Sequence, residues 1–263
     1  MPTGDERGTS PPKKEAVLQI AVIQFPGSNA DWDALHVARD VLGADARYVF
    51  HKEKELGPAD AVVIPGGFSY GDYLRPGAIA RFSPITEALV SFAKAGGPIL
   101  GICNGFQILT ELQLLPGALT RNAHLRFECR DIHLRPEGKG AFTDAISSGA
   151  PLRMPIAHAD GRYQCDAQTL QELEDNGRVA FRYCDAAGHV PTDDNARDAS
   201  GLRINPNGSL GAIAGVYDAG GRVLGMMPHP ERASEAVLGG REKRADGLSI
   251  FLSLKAHLEG EGQ

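Results

Sequence analysis

What this 263-residue chain lacks narrows its chemistry before any motif is read. Its four cysteines, at positions 103, 129, 165 and 184, are too few and too scattered for a disulfide scaffold, and no pair has the C-x-x-C spacing of a zinc or redox motif. No run of 18 apolar residues is present to cross a membrane, and the first residues lack the apolar core of a signal peptide. Basic residues do not dominate: 27 Lys and Arg against 33 Asp and Glu leave a net charge of −6. The short runs Lys13-Lys14 and Arg241 to Arg244 read as solvated surface, so neither a nucleic acid nor a membrane surface is expected as a partner. There is no P-loop, no dinucleotide-binding glycine fingerprint and no internal repeat. A cytoplasmic protein with no metal site of its own is the expectation.

What is present is ordinary globular composition, 42% hydrophobic and 23% charged, in a chain long enough to bury a large core without staples. Residues 1–15 are polar and proline-bearing and are expected to form a disordered tail; residues 16–263 read as one domain. Val17 to Ile23 predicts a buried strand closed by Pro26-Gly27, and Ser28 or Asn29 a cap for a helix starting near Asp31 and ending at Gly43. Strands at 47–50, 60–64 and 98–102 follow, with helices at 84–95 and 105–115 between and after them. This alternation predicts an α/β fold with a mostly parallel central sheet flanked by helices. Beyond Pro116 the pattern changes to further strands, at 126–134, 153–157, 179–183, 212–217 and 222–227, the last two joined by a hairpin at Asp218 to Gly221. The Asp-, Asn-, Gly- and Pro-rich segment 185–208 predicts an exposed loop and a candidate docking surface, and a helix at 247–258 closes the chain.

In parallel sheets ligands gather at the carboxyl ends of strands. Gly101-Ile102-Cys103-Asn104-Gly105 stands at one such end and opens a helix. Flanking glycines permit the tight strand-to-helix turn that pushes a nucleophile outward, the helix N-terminus favours thiolate, and the Asn104 N–H is placed to stabilise an oxyanion. By itself the pattern more often marks a small cysteine buried in a glycine-rich turn. A second strand end carries Pro228-His229-Pro230-Glu231, where residues i and i+2 of an extended chain share a side, so that Glu231 orients the His229 imidazole. Cysteine, base and carboxylate together have the logic of an activated nucleophile. A third strand end carries Pro65-Gly66-Gly67-Phe68, whose backbone can approach a ligand closely, and Gln107 stands one helical turn beyond Cys103.

The combination P-G-G, G-x-C-x-G-x-Q and H-P-E closely resembles the class I, triad-type glutamine amidotransferases, with a flavodoxin-like sheet. More narrowly, Ala21 to Asn29, Pro65 to Arg75, Gly77 to Arg81, Arg126 to Arg130, Asn205 to Ser209 and Gly225 to Arg232 resemble the PurQ-type family of glutaminase subunits of phosphoribosylformylglycinamidine synthase, over nearly all of 18–251. The resemblance implies that Cys103 attacks the side-chain amide of L-glutamine, with His229 and Glu231 as its partners. It also implies an oxyanion site from the N–H groups of Phe68 or Gly67 and of Asn104, and a substrate grip from Gln107 and the Gly66-Gly67 backbone. His158 is left with three roles open: touching substrate, meeting a partner, or packing. Pro76 stands where many relatives carry cysteine, and Asp160 where they carry glutamate. Such subunits hold no cofactor; the resemblance implies a large ATP- and Mg-using PurL-type synthase subunit and a small PurS-type subunit as partners.

Three other readings share part of the pattern. A cysteine peptidase or deglycase-like hydrolase on a similar sheet has the elbow cysteine but no need of H-P-E or of Asn205 to Ser209. A glutaminase serving a different acceptor keeps the whole triad. A regulatory module that binds glutamine without cleaving it typically loses the nucleophile, which is present here.

Overall fold

The computed structural model describes residues 17–146 and 150–261; the expected tail, residues 1–15, lies outside them. Four short strands form the first half of the sheet, the second of them at its edge, and apolar residues fill them where helices cover both faces. These are β1 (Gln19–Gln24), β2 (Asp45–Phe50), β3 (Ala61–Ile64) and β4 (Ile99–Ile102), of which β3 and β4 are buried at every position. Burial on both faces is what parallel strands under helices require. The helices are α1 (Asp31–His36, continuing as a π-turn over Val37–Val41), α2 (Ile85–Lys94) and α3 (Asn104–Glu111). The expected cap of α1 is not made. Ser28 instead closes a turn on Phe25, its Oγ accepting the Phe25 N–H at 3.2 Å, and the helix starts after Ala30 with no side-chain cap.

The second half adds β5 (Ala118–Thr120), β6 (Glu128–Pro136), β7 (Leu152–His158), β8 (Arg162–Gln164), α4 (Ala167–Asp175), β9 (Val179–Cys184), β10 (Ile213–Tyr217), β11 (Val223–Met226) and α5 (Leu248–Glu261). One nine-stranded sheet runs β2-β1-β3-β4-β11-β10-β9-β6-β7, and β5 pairs with β8 apart from it. Pairing is parallel from β2 through β11 and antiparallel from β11 to β7. The later strands therefore extend the same sheet. The β10–β11 hairpin turns the chain back so that β11, late in sequence, lies parallel to β4 with Met226 beside Ile102.

Two further local features depart from the sequence expectation for identifiable reasons. Helix α4 was not expected because only Leu173 of it is buried; its signal was Asp166, whose Oδ1 accepts the Thr169 N–H at 2.8 Å as an N-cap. The segment 185–208 is not exposed throughout. Asn205 and Asn207, at its end, are buried together with Ser209, since Asn207 Nδ2 donates to the Gly161 carbonyl at 2.8 Å and Ser209 Oγ accepts the Tyr163 N–H at 3.0 Å. These bonds brace the turn between β7 and β8 from below.

Candidate active site

Strand β4 runs straight into Cys103, which adopts φ 50° and ψ −104° before α3 begins. A non-glycine residue at positive φ costs about 1–3 kcal/mol and persists only where its surroundings enforce it. Here the enforcement is visible. The Cys103 N–H donates to the Met226 carbonyl at 2.8 Å, and the following turn passes so close to β3 that a Cβ on Gly105 would lie 2.0 Å from the Ile64 carbonyl oxygen. The thiol is buried, with Sγ 3.7 Å from the Ala157 carbonyl, and the Asn104 N–H belongs to the first helical turn, where no helical carbonyl precedes it.

Because β11 is in register with β4, the residues just after Met226 arrive beside Cys103. The His229 N–H is anchored on the Pro155 carbonyl at 2.9 Å. Its imidazole Nδ1–H donates to Glu231 Oε1 at 2.6 Å, with both side chains buried. The route differs from the one expected: Glu231 reaches the ring through a 3₁₀ turn, Pro230–Ala233, rather than along an extended chain. Burial alone would push the imidazole down, but the carboxylate of Glu231 and the neighbouring Cys103 outweigh it and raise its pKa to about 10. With Nδ1 committed, Nε2 is the nitrogen left for chemistry; it is buried with no hydrogen-bond partner. His229 and Cys103 face each other across Gly66, where a Cβ would fall 2.7 Å from His229 Cε1 and 3.4 Å from Cys103 Cβ.

The loop after β3 is stitched to this centre. The Phe68 N–H is spent on the Gly27 carbonyl at 2.9 Å, which narrows the expected oxyanion pair to Gly67, at φ 152°, and Asn104. Asn104 Oδ1 accepts the Ser69 N–H at 3.1 Å, Asn104 Nδ2 donates to Gln107 Oε1 at 2.8 Å, and Gln107 Nε2 donates to the Asp160 carbonyl at 2.7 Å. Gln107 thus ties the start of its own helix to the turn that carries Asp160, and Asn104 ties it to the loop after β3; each end of the Gln107 amide keeps one further hydrogen-bonding valence for a ligand.

Two arms of a pocket meet at Cys103 and share Gly67, Phe68 and Ala157 as walls. The wider, about 210 Å³, is lined by Asn29, Phe127, His229 and Arg232. The narrower, about 20 Å³, has room for one water-sized group and is lined by Asp72, Pro76, Gln107, His158 and Asp160. His158 is buried, and burial together with the nearby His229 drives its pKa down to about 3. Its Nδ1–H donates to Asn122 Oδ1 at 3.1 Å. Burial and the charge of Asp160 push the Asp72 carboxyl up to about 6. The sequence reading did not single out Asp72, Phe127 or Arg232 for the site. All three lie in segments that carry the family resemblance, but nothing about their type announced a pocket. Among the described residues no group of His, Cys, Asp and Glu has the arrangement of a metal site, and no helix is long and apolar enough to cross a membrane.

Comparison with known proteins agrees with this geometry. Residues 17–254 match the family described as CobB/CobQ-like glutamine amidotransferase domain. The PurQ subunit of phosphoribosylformylglycinamidine synthase from Aquifex aeolicus is 50% identical over 238 residues, 90% of this chain and 99% of that protein. The PurQ subunit from Salinibacter ruber is 49% identical over 241 residues, 91% of this chain and 97% of the other. Among solved structures, that of PurLQS from Thermotoga maritima superposes with a TM-score of 0.76 at 38% identity, covering 92% of this chain and 100% of that one. A full-length match at this identity, on a sheet that sets a cysteine elbow against a His–Glu pair, means that the chain belongs to the PurQ family of glutamine amidotransferase subunits of phosphoribosylformylglycinamidine synthase.

Proposed function

We propose that this chain hydrolyses L-glutamine at Cys103 and hands the ammonia to a synthase partner that converts formylglycinamide ribonucleotide to formylglycinamidine ribonucleotide with ATP. The observation that carries the catalytic half is the β4–β11 register, which sets the elbow cysteine against a buried His229–Glu231 pair. In the proposed reaction the Cys103 thiolate attacks the amide carbon, and the oxyanion is held by the N–H groups of Gly67 and Asn104. The imidazolium of His229 protonates the leaving nitrogen, which departs as ammonia and leaves a glutamyl thioester. Neutral His229 then takes a proton from water as it attacks the thioester, releasing glutamate and the thiol. Glu231 holds Nδ1–H and stabilises the imidazolium, which fits the raised pKa of the ring.

The chain itself is proposed to carry no cofactor; ATP and Mg²⁺ belong to the partner. The Thermotoga maritima structure is one of PurLQS, and the partners proposed here are the corresponding large PurL-type and small PurS-type subunits, in the cytoplasm. Exposed Phe68, Tyr73, Leu74 and Phe127 around and beyond the pocket mouth are apolar surface that such a partner would cover. A cysteine peptidase of similar fold would need a long cleft for a chain, whereas the spaces beside Cys103 are about 20 and 210 Å³.

The test is a reconstituted synthase assay with either glutamine or ammonium as nitrogen source. Cys103→Ala is expected to reduce the glutamine-dependent rate by about 10⁴-fold or more while leaving the ammonium-dependent rate unchanged. Equal loss with both sources, or none with either, would refute the assignment.

A further inference from the structure

The loop that follows β3 is bent more sharply than its glycines account for. Tyr70, Asp72 and Leu74 all stand at positive φ, 54°, 55° and 69°, with Gly71 at 68° between the first two. Left-handed backbone disfavours residues that carry a Cβ, so such a run persists only where contacts hold it. Some of those contacts are made beside the pocket. The Phe68 N–H donates to the Gly27 carbonyl at 2.9 Å and the Tyr70 N–H to the Pro26 carbonyl at 2.7 Å, while Asn104 Oδ1 accepts the Ser69 N–H.

Another contact lies away from the pocket, and the triad does not use it. The Tyr70 side chain reaches His51, the residue after β2, and Ser83, just ahead of α2. In the sheet β1 lies between β2 and β3, so this side chain crosses the width of a whole strand. Its hydroxyl stands 2.8 Å from His51 Nδ1 and 2.8 Å from Ser83 Oγ. Both partners are fixed in the interior, with His51 6% and Ser83 4% exposed. The His51 ring meets Phe50 and Tyr70 edge-on, at 4.4 and 5.6 Å between centroids. None of Tyr70, His51 and Ser83 lines either arm of the pocket. Packing alone would be served by the ring of a phenylalanine; the doubly bonded hydroxyl adds direction and register.

We propose that Tyr70 is a positioning residue for glutamine hydrolysis: its hydroxyl, clamped between His51 and Ser83, holds the left-handed turn 70–72 and through it sets the Gly67 N–H that receives the oxyanion. The lever is short, since Gly67 stands three residues before Tyr70. Gly67 is itself packed so closely that a Cβ there would fall 2.5 Å from the Gly27 carbonyl oxygen. An oxyanion donor stabilises the transition state only where its N–H is already aimed, so a small drift of this loop costs rate more than affinity. Removing the hydroxyl leaves His51 Nδ1 and Ser83 Oγ 3.4 Å apart, near enough to bond each other, so no buried polar group is orphaned and the fold is kept. The inference rests on glutamine being the substrate and on Gly67 as an oxyanion donor.

The experiment uses the reconstituted synthase complex with Tyr70→Phe, His51→Leu, His51→Asn and the double variant Tyr70→Phe/His51→Leu. Each is measured for kcat and KM with glutamine, for the ammonium-dependent rate, and for hydrogen exchange of the amides of residues 66–74. Tyr70→Phe is expected to lower the glutamine-dependent kcat about tenfold, less than the roughly 10²–10³-fold cost of losing an oxyanion donor outright. KM should stay within about threefold and the ammonium-dependent rate should not change, while exchange in the segment quickens. His51→Leu should act alike, and the double variant should be no slower than the slower single one, because both remove the same interaction. His51→Asn, whose amide offers an acceptor where Nδ1 stands, should recover most of the rate. A Tyr70→Phe kcat within about threefold of wild type overturns the proposal. So does a loss expressed in KM alone, an equal loss with both nitrogen sources, or additive losses in the double variant. Wild type with no glutamine-dependent activity at all would instead strike at the proposed function, a distinct outcome.

Discussion

Two buried histidines line different arms of the pocket at Cys103, and their environments push them in opposite directions. His229 has a carboxylate on Nδ1 and a nucleophile beside it, and its pKa rises to about 10; His158 has a neutral amide on Nδ1, and burial and its neighbour take it down to about 3. Burial is the same in kind for both. What separates them is the charge of the second residue, Glu231 in one case and Asn122 in the other. One imidazole is thereby suited to carry a proton, and the other to remain a neutral acceptor.

The comparison is most directly broken by equalising the two partners. Glu231→Gln replaces the carboxylate with a neutral amide and makes the His229 side resemble that of His158. The glutamine-dependent kcat is expected to fall by about 10³–10⁴-fold with little change in the ammonium-dependent rate, measured in the reconstituted complex. A smaller geometric insult should act through the same ring. Gly66→Ala places a methyl group 2.7 Å from His229 Cε1, displacing the imidazole from Cys103. A misplacement on the ångström scale predicts about a 10²-fold loss in kcat, with circular dichroism unchanged.

The pH dependence of stability should separate the histidines by sign. His158, with its folded pKa below the unfolded value near 6.5, keeps its full contribution above that value and loses it as pH falls from about 6.5 towards 3, because the unfolded chain then binds the proton that the folded one refuses. His229, raised, contributes fully below about 6.5 and loses its contribution as pH rises through about 10. Asp72, also raised, opposes His158 between its ordinary carboxyl range and about 6, so the useful quantity is the difference between wild type and His158→Asn. In urea titrations that variant should flatten the acid limb by at most about 1.4 kcal/mol per pH unit and leave the alkaline limb as it was. The smallest effect is reserved for a control far from both rings. Asp166→Ala removes the N-cap of α4, with an expected cost of about 1 kcal/mol in urea unfolding and no change in either nitrogen-source assay.

The legible part of this protein was the part written in neighbouring residues. β1, β3, β4 and β11 were visible as short β-branched runs because burial on both faces leaves no place for polar residues. Cys103, His229 and the Gly66-Gly67 turn were visible because each stands at the end of such a run. Helix α4 was not, since a helix that buries one leucine has almost no apolar period to read. The buried end of the 185–208 segment was misread for a similar reason: Asn205 and Asn207 are polar, and only their specific partners, the Ser209 and Gly161 carbonyls, make burial tolerable.

Local chemistry in the chain determined that there would be a strained cysteine elbow, a His–Pro–Glu turn and a sheet to carry them. Tertiary structure alone decided that these meet. A parallel β4–β11 register joins segments more than a hundred residues apart, because hydrogen bonding between strands depends on sheet order and not on sequence distance. It decided too that Asp72, His158 and Asp160 would face one small space: each is an ordinary polar residue in its segment, and their joint character exists only where the turn after β3 meets the end of β7.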